Sequence, residues 1–164
     1  MMTRNGAVKS IINFMATSFE TASDTVVFPV QRQYVKRGGI ELKFDAFPRI
    51  YLWTGDEIVT KVNRFKEREL DATIAMMINP ADHRDIYPDD NDCIDAALEQ
   101  MQICLEKFNA PLPRTSYNAE GILESNVGKR CAVNEIGNDV IFITGDPSFV
   151  AVEIGIEIKY VTLF

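Results

Sequence analysis

A chain of 164 residues with 46% hydrophobic and 25% charged side chains has the make-up of one globular domain, long enough to bury its own core. Its net charge of −7 argues against general nucleic-acid binding, which wants a basic face, and leaves room only for a local basic patch. No apolar run approaches the roughly 20 residues of a membrane helix, Met1–Gly6 lacks the hydrophobic stretch of a signal peptide, and Cys93, Cys104 and Cys131 follow no metal-binding spacing, so the chain is expected to fold in a cytosol with reduced, buried thiols.

The first element is a helix over Asn5–Glu20. Val8, Ile11, Ile12, Met15 and Phe19 recur at helical spacing as one inward stripe, and Thr3 or Asn5 is placed to cap its start. The weakly charged polar face favours core packing over a membrane or partner helix. Thr25–Val30 predicts a short apolar strand stopped by Pro29. Gln31–Phe44 predicts a hairpin split at Arg37-Gly38-Gly39. Its first arm sets Arg32, Lys36 and Arg37 around Tyr34, the one basic, aromatic-bearing patch on an acidic chain. Such a patch is either a solvated hairpin arm or a contact for an acidic partner surface or passing nucleic acid.

Phe47–Asn79 reads as two or three successive strands. Arg49–Trp53 is a short apolar run and Thr54-Gly55-Asp56 a turn signal; two period-two stretches follow, broken near Lys66–Arg68. In the second, Leu70, Ala72, Ile74, Met76 and Ile78 share one face, and Glu69, Asp71, Thr73 and Asn79 the other, the mark of a half-buried antiparallel strand. Pro80–Asn91 is a polar loop. Asp92–Phe108 is a strong helix, with Ile94, Ala97, Leu98, Met101, Leu105 and Phe108 as its stripe and Asp89, Asp90 and Asp92 at the positive end of its dipole. Asn109, Pro111 and Pro113 end it. Pro111–Lys129 is loop-like. Arg130–Ile136 and Asp139–Ile143 predict short strands around a tight turn at Gly137-Asn138, and Thr144–Pro147 is a further turn. In the last segment Val150, Val152, Ile154, Ile156, Ile158 and Tyr160 alternate with Ala151, Glu153, Gly155, Glu157 and Lys159. This strand is the expected neighbour of the Phe47–Asn79 stretch. The order predicts an α+β fold: a mainly antiparallel sheet, with room for a mixed pairing, covered on one face by two amphipathic helices and carrying an extra hairpin. The opposite face, part polar and part apolar with Met77 and Val161 among its charges, is either solvent-facing or an assembly surface.

No catalytic residue, cofactor or metal is expected from the side chains present. His83, the single histidine, lies in the polar loop Asp82–Asp85 with no G-x-S-x-G serine to serve. Asp85, Asp89, Asp90 and Asp92 form the densest acidic cluster, but the EF-hand pattern fails: Asp95 occupies the sixth position from Asp90 and Met101 the twelfth. A helix start explains them at lower cost, and a small metal-dependent enzyme is kept as the lesser alternative. Gly38-Gly39 has no Walker or G-x-G-x-x-G surroundings.

Four stretches carry a family resemblance: Phe47–Glu57 (FPRIYLWTGDE), the strand ending Ala75–Pro80 (AMMINP), the acid-capped helix Asp92–Phe108 and the C-terminal strand Ala151–Tyr160. In this order they resemble the tail terminator, or tail completion, proteins of long-tailed bacteriophages. The resemblance implies a structural role without catalysis: a ring, of six copies in that family, that caps the head-proximal end of the tail tube, ends tube polymerisation and offers a surface for head joining. It implies tail-tube and head-completion proteins as partners, no membrane, at most transient contact with passing DNA, and a place in the virion after assembly in the host cytoplasm. It points to Arg32, Tyr34, Lys36, Arg37, Thr54, Asp56, Thr73 and Met77 as the partner and assembly surface. Gln31–Phe44 and Pro111–Lys129 look longer than a minimal member needs, which leaves a neighbouring head-completion or connector protein as the alternative.

Overall fold

The computed structural model describes residues 3–39, 42–110, 131–145 and 147–163. The predicted loop Pro111–Lys129 lies outside them, as do Ile40 and Glu41 of the predicted hairpin's return arm. Helix α1 spans Arg4–Ser18; the Thr3 hydroxyl caps it, accepting from the Gly6 N–H at 3.0 Å. Helix α2 spans Asp90–Asn109, and the Asp89 carboxylate caps it by accepting from the Asn91 N–H at 2.8 Å. Both helices bury their predicted stripes, Ile12 and Leu98 only in part. They meet where Phe14 packs edge-on to Phe108, ring centroids 5.3 Å apart.

Five strands form one mixed sheet: β1 (Val35–Arg37), β2 (Arg49–Val62), β3 (Phe65–Ile78), β4 (Cys131–Ile143) and β5 (Phe149–Leu163), in the spatial order β1-β2-β3-β5-β4. All pairings are antiparallel except β1 with β2. The α+β class, with two helices on one face, is therefore as expected. The inner faces of β3 and β5 are those the alternation assigns: Leu70, Ala72, Ile74, Met76 and Ile78 pair across to Ile158, Ile156, Ile154, Val152 and Val150, and all ten are buried under the helices.

Four local expectations are corrected. Thr25–Val30 forms no strand. Its Val26, Phe28 and Val30 are buried, but Phe28 is held by a side chain: its N–H donates to Gln100 Oε1 at 2.8 Å, and Gln100 Nε2 donates to its carbonyl at 2.9 Å. The Gln100 amide supplies what a neighbouring strand would have, beside a proline that has no N–H to give. The described part of Gln31–Phe44 is a 3-10 turn at Arg32–Tyr34 followed by β1, which pairs parallel with Ile50–Leu52. Gly38 marks a close approach, since a Cβ there would collide with the Trp53 indole.

Thr54-Gly55-Asp56 is a β-bulge inside a continuous β2, where Thr54 pairs with Ala72 but Glu57 with Leu70. Gly137-Asn138 likewise lies inside a continuous β4, with its register shift between Glu135 and Gly137. The turn that does reverse the chain is Asn63-Arg64, between Val62 and its partner Phe65, with Asn63 at φ 55°.

The outer face is covered at one end. Tyr51, Ala75, Met77, Phe149 and Ala151 form a second buried cluster with Leu42, Phe44, Phe47 and Trp53 packed on it. Phe44 stacks on Phe149 at 4.9 Å, and Tyr51 Oη accepts from the Lys43 N–H and donates to its carbonyl, each at 3.1 Å. The segment before β2 thus straps over the sheet. Glu69, Asp71 and the rest of the outer face remain accessible beyond it.

Candidate interaction surface

The predicted surface residues divide. Arg32 is exposed but engaged with α1: it donates to Thr17 Oγ1 at 3.0 Å and pairs with Glu20 at 3.5 Å. Tyr34 is half-buried, with the Arg49 guanidinium 4.5 Å over its ring. Lys36 and Arg37 stand exposed on β1, and Arg37 donates to Thr54 Oγ1 at 2.9 Å, bringing two of the predicted residues together. Asp56 is exposed within the β2 bulge, and Thr73 is half-buried mid-sheet between Trp53 and Gly155. Met77 is corrected: it is 3% exposed, shut in by the second cluster, and cannot meet a neighbour while the strap holds. The eight residues therefore do not make one patch.

A second set, absent from the sequence expectations, is apolar. β2 beyond the bulge carries Ile58, Val59 and Val62, all exposed, and Phe65 opens β3 beside them. β4 carries Ile136, Ile141, Phe142 and Ile143, also exposed. Ile58 and Ile136 are 64% and 62% exposed, and Phe142 63%, values that mark large apolar side chains left uncovered by the described residues. The signal was present in the sequence: Ile141-Phe142-Ile143 puts apolar groups on both faces of a strand, which fits a face-covered or partnered edge better than a half-solvated one.

Beneath the β2 bulge sits a polar cluster, also missed. Glu57 accepts from Arg68 Nη1 and from Tyr160 Oη, each at 2.6 Å, and Arg68 Nε donates to Thr162 Oγ1 at 2.9 Å. Burial pushes the Glu57 carboxyl up, but the hydrogen bonds from Tyr160 and Arg68, with the positive charge of Arg68, outweigh it and hold the carboxyl below its ordinary range. Burial, helped by the Glu57 carboxylate, drives the Tyr160 hydroxyl well up, so it stays a donor. The cluster is a clamp between β2, β3 and β5.

The thiols, the histidine and the acidic cluster offer no reactive arrangement among the described residues. Burial pushes the Cys104 and Cys131 thiols up to about 12 and about 11, and raises Cys93, so none is a ready thiolate. His83 is half-buried, edge-on to Phe28 at 4.7 Å. Asp89 caps α2 and Asp90 pairs with Arg84 at 3.7 Å. Among the described residues no three His, Cys, Asp or Glu side chains gather as a metal site, and no helix is long and apolar enough to cross a membrane. In comparisons with known proteins, no family model matches the chain and no curated protein matches it.

Proposed function

We propose that this protein is a structural subunit that assembles with copies of itself into a closed ring, and that the ring is the terminator of a phage tail tube. The observation that carries the assembly reading is the large apolar side chains on two sheet edges that are open among the described residues: Ile58, Val59 and Val62 on β2, and Ile136, Ile141, Phe142 and Ile143 on β4. A monomer gains nothing from exposing them, and burying each against a neighbour is worth about 1–3 kcal/mol. The place in the particle rests on the resemblance of Phe47–Glu57, Ala75–Pro80, Asp92–Phe108 and Ala151–Tyr160. Heterologous contacts that close into a ring need two different surfaces on each subunit, which two unlike edges provide. The exposed Lys36 and Arg37 on β1 then suit an acidic partner or passing DNA.

Adding the purified protein to polymerising tail-tube subunits tests the reading. Electron microscopy is expected to show tubes that stop growing, each with a ring at one end. Tubes that grow unchanged contradict the terminator role. Retention of portal-side proteins in place of tube protein in a pull-down moves the protein to the head-completion position.

A further inference from the structure

Both edges of the sheet are open among the described residues. β1 covers β2 only opposite Ile50–Leu52, so β2 beyond the bulge has one neighbour, and β4 has only β5. The two open edges also run in opposite directions. β2 is antiparallel to β3, β3 to β5 and β5 to β4, so three reversals separate them. A second copy placed by rotation about an axis along the strands therefore brings its β2 antiparallel to the first copy's β4. No strand needs to turn over, and the sheet continues from subunit to subunit.

The β4 edge and the tip of the β2–β3 hairpin differ in charge. β4 carries Glu135 and Asp139 and no cation, while the hairpin tip 61–66 carries Lys61, Arg64 and Lys66 and no anion. Glu135 is held in place by Gln102 Nε2, which donates to it at 2.9 Å. Their apolar faces match as well. The pairing registers place Ile58 and Ile141 on the outer face and Val59 and Val140 on the helix face. Each edge has one bulge, a device that discourages random edge pairing. The runs beyond the bulges, Glu57–Val62 and Gly137–Ile143, are regular and similar in length.

From these features we propose that the β4 edge of one copy pairs antiparallel with the Glu57–Val62 edge of the next copy. Ile58 lies opposite Ile141 and Val59 opposite Val140, with the Lys61–Lys66 tip alongside Asp139 and Glu135. Both faces of the sheet then continue across the boundary, and edge backbone groups pair between copies; the Val140 N–H, which donates to Asp139 Oδ1 at 2.8 Å, exchanges that carboxylate for a neighbouring strand. This pairing rests on the self-assembly reading and specifies it: the occupant of each edge is a second copy of this chain.

Charge reversal tests the pairing. Two double variants are made, Glu135→Lys with Asp139→Lys, and Lys61→Glu with Arg64→Glu. Their folding is checked by circular dichroism and their assembly by native mass spectrometry beside the wild type. In the first variant both edges are basic, and in the second both are acidic. Each alone is expected to self-associate at least tenfold more weakly than wild type. An equimolar mixture is expected to regain closed oligomers that alternate the two chains. Variants that assemble like wild type overturn the pairing while leaving self-assembly standing, as does a mixture of folded variants that stays monomeric beside a ring-forming wild type. A wild type that remains monomeric overturns the self-assembly reading itself.

Discussion

Tyr160 donates a 2.6 Å hydrogen bond to Glu57, fastening the strand β5 to the first paired residue after the β2 bulge. The carboxylate also takes 2.6 Å from Arg68, so one half-buried anion holds three strands in register. A carboxyl whose folded pKa is depressed adds stability above its unfolded pKa and loses it as pH falls through the folded value. Wild type is therefore expected to lose stability progressively as pH drops below about 4.5, the ordinary carboxyl value. Glu57→Gln should be less stable at neutral pH, by about 1–3 kcal/mol for loss of the charge-assisted bonds. It should also show a flatter acid limb in urea titrations at several pH values. Equal acid dependence of the two proteins would exclude this role for Glu57.

Gln100 and Phe28 make the second measurable link. The Gln100 amide is 2% exposed and satisfies both backbone groups of Phe28. Gln100→Leu keeps the bulk and leaves a buried N–H and C=O unpaired, each at a cost of about 1–3 kcal/mol. Chemical denaturation should register a loss of about 2–5 kcal/mol. A loss under 0.5 kcal/mol would mean that water replaces the amide freely.

Gly38 is the third. A side chain there meets the indole of Trp53, the residue that ends the apolar entrance to β2. Gly38→Ala is expected to destabilise by about 1–3 kcal/mol through overpacking. It should also shift the fluorescence of Trp53, the single tryptophan. An unchanged melting temperature and spectrum would show that β1 can move aside.

The acidic cluster before α2 gives a fourth. Asp89 is engaged as a cap and Asp90 with Arg84, so calorimetric titration with millimolar Ca²⁺, Mg²⁺ or Mn²⁺ is expected to give no saturable binding. Asp89→Ala should cost about 0.5–2 kcal/mol as a lost N-cap. Saturable binding that Asp89→Ala abolishes would restore the metal-dependent alternative.

The helices and the central strands were legible because their signals are periodic. Val8 to Phe19, Ile94 to Phe108, Leu70 to Ile78 and Val150 to Tyr160 repeat at 3.6 or 2, and burial follows the repeat. The glycine motifs were ambiguous for a physical reason. A bulge and a turn both favour small, polar residues, so Thr54-Gly55-Asp56 and Gly137-Asn138 read as chain reversals although the strands run on. Which exposed groups are engaged was not legible at all. Arg32 meets Glu20, Tyr34 lies under Arg49, and Met77 is covered by a strap from before β2, all contacts between segments distant in sequence. That β2 and β4 are edges among the described residues depends on strand order, which local pattern does not encode.

Closure of this chain into a ring is open to a direct test by native mass spectrometry of the purified wild type across a range of concentrations. The expected result is one discrete closed oligomer, six copies as the resemblance implies, that grows at the expense of monomer and appears as rings in electron micrographs. Monomer alone at every concentration would contradict it.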